Sequence, residues 1–306
     1  MSISTSYYFD QAVRQMGDLQ TSIDRTQTQI STGQQLTRPS ENPDKVTAIQ
    51  RLKSAITRQD SYSSTLATVG DRLKAEETSM KGASDAMTRV KELAVQAAND
   101  TLGTTDRANI AAELDSIRAS LYALAGTRDV SGNYLFSGTR VGQPPFSDGK
   151  SGGAEYQGDQ SSIQVSVGDQ RQLTVNRPGT EVFSGVVRDN GITIAKAGFF
   201  QVLDDLASSI RGSNHAGMQR GLDEIDQLSG GLAHALATNG ADQNVVSEQQ
   251  SLIDDTKLRL QTTLSALADT DYTEAITRLQ KETLGLQAAQ STFAKTSSLS
   301  LFNFLK

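Results

Sequence analysis

FDQAVRQMGDLQTSIDRTQTQI, residues 9 to 30, is the stretch that decides the fold class. Phe9, Met16, Ile23 and Ile30 recur every seven residues, with Ala12, Leu19 and Thr26 at the intervening positions. That spacing draws an apolar seam down one side of a helix. The helix that carries such a seam cannot bury it alone, so another helix must cover it. A matching stripe, Ile276, Leu279, Leu286 and Phe293, runs near the other end of the chain. The expectation is a helical rod whose two strands come from opposite ends of the sequence.

Working outward, Gly33 ends the first helix, and RPSENPDKV, residues 38 to 46, reads as a turn followed by a helix start. Asn42 stands as the N-cap, with Pro43 in the first helical position, where its missing N–H costs nothing. From Val46 to about Ala98 there is no proline, and Ile49, Leu52, Ile56, Leu66, Leu73, Met80, Met87 and Ala94 hold a heptad register. This predicts one helix about 80 Å long. After a turn at Asn99 to Thr105, the apolar residues Ile110, Leu114, Ile117, Leu121 and Leu124 mark an amphipathic helix that stops at Gly126.

Composition changes near Asp129, where glycines and short alternating runs begin. Ile163, Val165 and Val167, a Gly168-Asp169 turn, then Leu173 and Val175 predict a β-hairpin. Helical spacing returns with Phe199, Leu203, Leu206 and Ile210, breaks at Gly212, and resumes with Leu222, Ile225, Leu228 and Leu232. A further seam follows in Ile253, Leu260 and Leu267, and the acidic turn ADTDY precedes the last helix. The fold class is therefore mainly α with a β-rich insert: an elongated antiparallel helical bundle or coiled coil formed by the N- and C-terminal segments, plus an outer β domain. The expected divisions are 1–42, an N-terminal assembly helix and turn; 43–129, long rod helices; 130–195, the β-rich outer domain; 196–270, return helices; and 271–306, a C-terminal assembly helix.

The 306 residues carry a net charge of −6 and no basic block, which argues against nucleic acid as a partner, since phosphate binding needs clustered Lys and Arg. No run approaches the roughly 18 consecutive apolar residues of a membrane span, so no membrane partner is expected. The first thirty residues lack the charged start and apolar run of a cleaved signal peptide, so any secretion must use another route. The absence of cysteine excludes disulfides, thiolate metal sites and thiol nucleophiles. It fits a reducing compartment, and equally a chain threaded unfolded through an export channel.

Several segments resemble the flagellin superfamily, and within it the FlgL family of hook-associated proteins. QISTGQQLTRPSENPDKV, Gln29 to Val46, resembles that family's turn between its first two helices. SGNYLFSGT, Ser131 to Thr139, is similar to its entry into the outer domain, and AEYQGD and RPGTEVF are similar to later landmarks there. The stretch from Asp269 is similar to the superfamily's C-terminal helix. The opening MSISTSYYF differs from the usual flagellin start, and the insert is compact, which places the chain nearer the junction protein than the filament subunit. The resemblance implies a secreted structural protein, exported by the flagellar type III apparatus with a chaperone as escort, and assembled into a homo-oligomeric ring. Its neighbours would be another hook-associated protein on the hook side and flagellin on the filament side. The rival readings are a filament-forming flagellin and an intracellular coiled-coil scaffold, with an enzyme last.

The expected subunit-interface residues are Phe9, Met16, Ile23, Ile30, Ile276, Leu279, Leu286 and Phe293, although a seam in itself means only that helices pack. The dense apolar end, Leu299, Leu301, Phe302, Phe304 and Leu305, together with Leu286 and Phe293, is the expected chaperone-binding segment. No catalytic, cofactor or metal site is expected. His215 and His234 have no zinc-ligand spacing around them and read as surface residues. Asp204-Asp205, Asp254-Asp255 and the ADTD segment read as solvated charge or helix-start carboxylates rather than acid–base pairs, and Gly152-Gly153 as a turn.

Overall fold

The computed structural model describes residues 2–148, 153–189 and 194–304. Helix α1 spans Ser2–Thr32, α2 Pro43–Ala97, α3 Thr104–Ala125, the short α4 Gly179–Val182, α5 Phe199–Arg211, α6 His215–Ala268 and α7 Tyr272–Phe304. Among the described residues six short strands lie between α3 and α5: β1 Phe146–Asp148, β2 Ala154–Tyr156, β3 Gln164–Ser166, β4 Gln172–Thr174, β5 Val186–Asp189 and β6 Ile194–Ala197. Each pairs antiparallel with its sequence neighbour, giving three separate hairpins, β1–β2, β3–β4 and β5–β6. The hairpin expected around Gly168-Asp169 is present, with Val165 opposite Leu173. By packing, the chain divides into Met1–Gln59 with Asp255–Lys306, and Asp60–Asp254, so the division falls inside α2 and α6.

In the terminal unit, Gly33 breaks α1 by adopting φ +69°, the left-handed conformation that glycine takes without steric cost. Two turns meet there. The Gln35 amide donates to the Ala268 carbonyl at 2.8 Å, and the Thr270 amide donates to the Gly33 carbonyl at 2.9 Å. A third contact pairs Arg25 with Glu41 at 3.1 Å, and Thr37 donates to the same carboxylate through both its amide and its hydroxyl. Asn42 caps α2 as its sequence suggests, its side-chain oxygen accepting from the Lys45 amide at 3.0 Å.

The central unit has one principal core. The heptad residues Leu66, Leu73, Met80, Met87 and Ala94 of α2 are all buried. Those from Met80 onward pack in one cluster with Ile110, Leu114 and Leu121 of α3, most of α5, and Ile225, Leu228 and Leu232 of α6. Gly82 faces α3, where a Cβ would lie 3.4 Å from both Leu124 methyls. The β-bearing segment shares this core, contributing Leu135, Phe136, Phe146, Val182, Phe183 and Val186. A smaller cluster of Leu66, Val167 and Ile253 seats the β3–β4 hairpin on α2 and α6. Where the sequence suggested an interrupted series of seams after Gly212, α6 is continuous for 54 residues through five glycines. Packing of its apolar stripe outweighs the roughly 1 kcal/mol that each helical glycine costs.

Aromatic rings knit the insert to α5. Phe146 lies edge-on to Phe183 and Phe200 at centroid distances of 5.9 and 5.2 Å, and Phe199 meets both Phe183 and Phe200 at 5.3 Å. The backbone of α4 runs directly over this cluster. A Cβ on Gly179 would come within 2.9 Å of the Phe136 carbonyl and the Tyr156 ring, which explains the glycine of RPGTEVF. Arg188 ties β5 to the helices, donating to both Glu224 oxygens at 2.7 Å and to Asp205 at 2.6 Å.

Phe200 is fully buried at the centre of the rings. Phe200→Ala should lower the stability of the chain by about 3–5 kcal/mol through lost burial and a residual cavity. Denaturant titration should give a lower midpoint at unchanged slope.

Candidate functional site

In the terminal unit α1 and α7 pair antiparallel. Phe9 meets Phe293 edge-on at 5.3 Å, Leu19 lies 4.0 Å from the place a Cβ on Gly285 would take, and Gly33 lies against Tyr272. Ile23, Thr26, Gln29 and Ala275 are buried along this seam. Its mainly apolar contacts include one carboxylate. Glu282 accepts from Ser22 Oγ at 2.6 Å and from Thr26 Oγ1 at 3.0 Å. Two hydroxyl donors satisfy one carboxylate without a cation, a contact that fits when α1 and α7 are in this register and is lost if they slide.

The expected interface residues fall at different depths. Ile23 is 6% exposed, and Phe9, Met16, Ile30, Leu279, Leu286 and Phe293 are partly buried, whereas Ile276 is exposed. Most of the heptad seam is thus covered within the chain. Among the described residues, the large apolar side chains left exposed on this pair are Tyr7, Tyr8 and Val13 on α1 and Tyr272, Ile276 and Leu284 on α7. Val13 and Leu284 are 55% and 67% exposed, and neither lies on the seam positions, so a search for heptads passes over them. The available sequence signal was an apolar residue off the seam positions, as in QAVRQ and ETLGL. Of the terminal apolar group, Leu305 lies outside the described residues, as do the side chains of Leu299, Leu301, Phe302 and Phe304.

The residues weighed for chemistry have ordinary structural partners. His215 lies 3.2 Å from Asp100, and His234 is exposed on α6. Asp204 pairs with Arg118 at 2.5 Å, while its neighbour Asp205 takes Arg188 and Gln201. Burial pushes the Asp204 carboxyl up, against the pull of Arg118. Asp254 accepts from Gln250, and Asp255 is exposed. Asp271 of the ADTD segment caps α7, accepting from the Thr273 and Glu274 amides at 2.9 and 3.1 Å. Gly153 packs beside Gln201, and Gly152 lies outside the described residues. Among the described residues no cluster of His, Asp and Glu could hold a metal, and no helix is long and apolar enough to cross a membrane.

Known proteins share both ends of this arrangement. The bacterial flagellin N-terminal helical region matches residues 3–140, and the bacterial flagellin C-terminal helical region matches residues 222–305. The flagellar hook-associated protein 3 of Salmonella typhimurium is 26% identical over 316 residues, covering 99% of each chain. The crystal structure of Xanthomonas campestris FlgL has the same fold, with a TM-score of 0.59 at 24% identity, covering 71% of this chain and 99% of that one. The flagellar junction protein FlgL from Legionella pneumophila gives a TM-score of 0.57 at 16% identity, covering 65% and 99%.

Ile23→Asp would place a carboxylate without a cation in the α1–α7 seam. It should weaken the pairing by about 3 kcal/mol, roughly a hundredfold in amide exchange across α1 and α7. Exchange within residues 60–254 should stay unchanged, and hydrogen-exchange mass spectrometry would read both regions in one experiment.

Proposed function

This chain belongs to the flagellin family, its two ends carrying that family's N- and C-terminal helical regions, and we propose from that premise that it is the structural subunit joining hook to filament. The observation that carries the reading is likeness along the whole length to hook-associated protein 3. Flagellin-type ends alone would suit a filament subunit equally well. The likeness also spans residues 141–221, which the two terminal regions leave uncovered.

The work is mechanical rather than catalytic. A homo-oligomeric ring has a hook-associated protein beneath it and flagellin above it, and it satisfies both lattices without passing one into the other. It lies outside the cell in the flagellum, reached through the flagellar type III apparatus. Exposed apolar groups on paired helices support assembly through the terminal unit, because such groups gain about 25 cal/mol per Å² when covered. The seam residues Phe9, Met16, Ile23, Ile30, Ile276, Leu279, Leu286 and Phe293 set the shape of that surface or contact neighbours directly, with Tyr7, Tyr8, Val13 and Leu284 beside them. Before export a chaperone covers the segment from Leu286 through Phe293 to Leu299, Leu301, Phe302, Phe304 and Leu305. Since Leu286 and Phe293 face α1 in the folded chain, the chaperone's groove takes the place of α1.

A strain lacking this protein should make hooks without filaments and leak flagellin into the medium. Purified protein added to hook seeds should stop after little growth; indefinite elongation would identify a filament flagellin instead. The double variant Val13→Asp with Leu284→Asp should abolish addition to the seed while leaving circular dichroism of the monomer unchanged. Removing residues 279–306 should abolish chaperone binding in calorimetry, and unchanged affinity would refute that placement.

A further inference from the structure

Inside the central unit a group of charged side chains is buried where the insert meets α2 and α6. Glu76 of α2 is 1% exposed. Arg72, one turn earlier, approaches one of its oxygens at 3.3 Å, and Arg177, from the insert, approaches the other at 3.8 Å. Asn239 of α6 donates to that second oxygen at 3.4 Å. Each arginine also has a partner of its own. Arg177 reaches Asp242 of α6 at 2.6 Å, and Arg72 reaches Asp129 at 3.5 Å and the Leu135 carbonyl at 2.7 Å. These contacts hold two separate parts of the insert, the 129–135 turn and the segment between β4 and α4, onto two helices.

The charges do not balance. Arg72 and Arg177 are two cations against three carboxylates, Asp129, Asp242 and Glu76. With a proton on Glu76 the count is two against two. Other charged groups nearby are engaged elsewhere or exposed: Glu77 of α2 is bound by Lys81 and Gln243, and Glu181 of the insert is exposed. A cavity of about 380 Å³, lined by Glu76, Asn176, Arg177 and Asp242 among others, gives water a route to the carboxyl. We propose that Glu76 is a proton-operated latch that fastens the insert to α2 and α6 when protonated and loosens that grip when it ionises. The electrostatics agree: burial pushes the Glu76 carboxyl up to about 7, opposed by Arg72 and Arg177. Its folded-state value lies above the ordinary 4.5. Its contribution is therefore complete below pH 4.5 and is lost as pH rises through about 7.

Native-state amide exchange of the full chain, corrected for the intrinsic rate at each pH, tests this. Between pH 5.5 and 8.5, protection of residues 127–137 and 174–182 should fall roughly thirtyfold, the part of the displacement from 4.5 to about 7 that this window spans. Glu76→Gln, which carries no titrating proton, should keep that protection flat with pH. Asp242 is 45% exposed, so Asp242→Asn should fold; it leaves Arg177 to Glu76 alone and should move the loss of protection to lower pH. Parallel pH dependence in wild type and Glu76→Gln, or an unmoved midpoint in Asp242→Asn, would overturn the latch.

Discussion

Neither terminal helix can bury its own apolar stripe, and the terminal unit depends on that constraint. α1 carries a seam from Phe9 to Ile30 and α7 one from Leu279 to Phe293, and each is the other's cover. The pairing is antiparallel and joins residues more than 250 positions apart, as the Ser22–Glu282 hydrogen bond illustrates. Closing so long a loop costs entropy before any contact repays it. The pairing is accordingly fixed at several points along its length: the joined turns at Gly33 and Thr270, the two hydroxyls on Glu282, and the crossed rings of Phe9 and Phe293. What remains uncovered after pairing is a second set of apolar groups off the seam, such as Val13 and Leu284.

The central unit solves a different problem. Its strands are three or four residues long and form hairpins of two, which are marginal when isolated. Their stability comes from the side chains they lay on the helices, notably Phe146, Val182, Phe183 and Val186. Arg188 with Glu224 and Asp205, and Arg72 and Arg177 around Glu76, add polar attachments whose value is geometric. A buried ion cluster contributes little net stability over a well-packed apolar replacement, but it tolerates few arrangements. The insert is held in one place by these contacts.

How much could be read in advance follows from which interactions are local. The N-cap at Asn42, the left-handed break at Gly33, the heptads of α2 and the β3–β4 turn each rest on a few neighbouring residues, and the chain shows them openly. α6 was harder, because its glycines argue against a helix locally and only packing overrides them. The outward groups of the candidate surface, Val13 and Leu284, are passed over by a search for periodicity for a related reason. Periodicity identifies the face that is buried first, and says nothing of residues left exposed once that face has been used.

By itself, then, the sequence determined that the chain is mainly helical, that its two ends carry seams in need of partners, and that a β-bearing segment interrupts the helices. Spacing along one chain encodes those facts, since helix and strand periods are local geometry. Only the tertiary structure decided the register in which the two terminal seams meet, that the insert shares a core with α2, α3, α5 and α6, and that Glu76 lies between two arginines. Those outcomes depend on residues brought together from distant parts of the chain, such as Phe146 with Phe200, Glu76 with Arg177 and Ser22 with Glu282. No local pattern specifies such a meeting; it is set by which combination of burial, hydrogen bonds and charge has the lowest free energy.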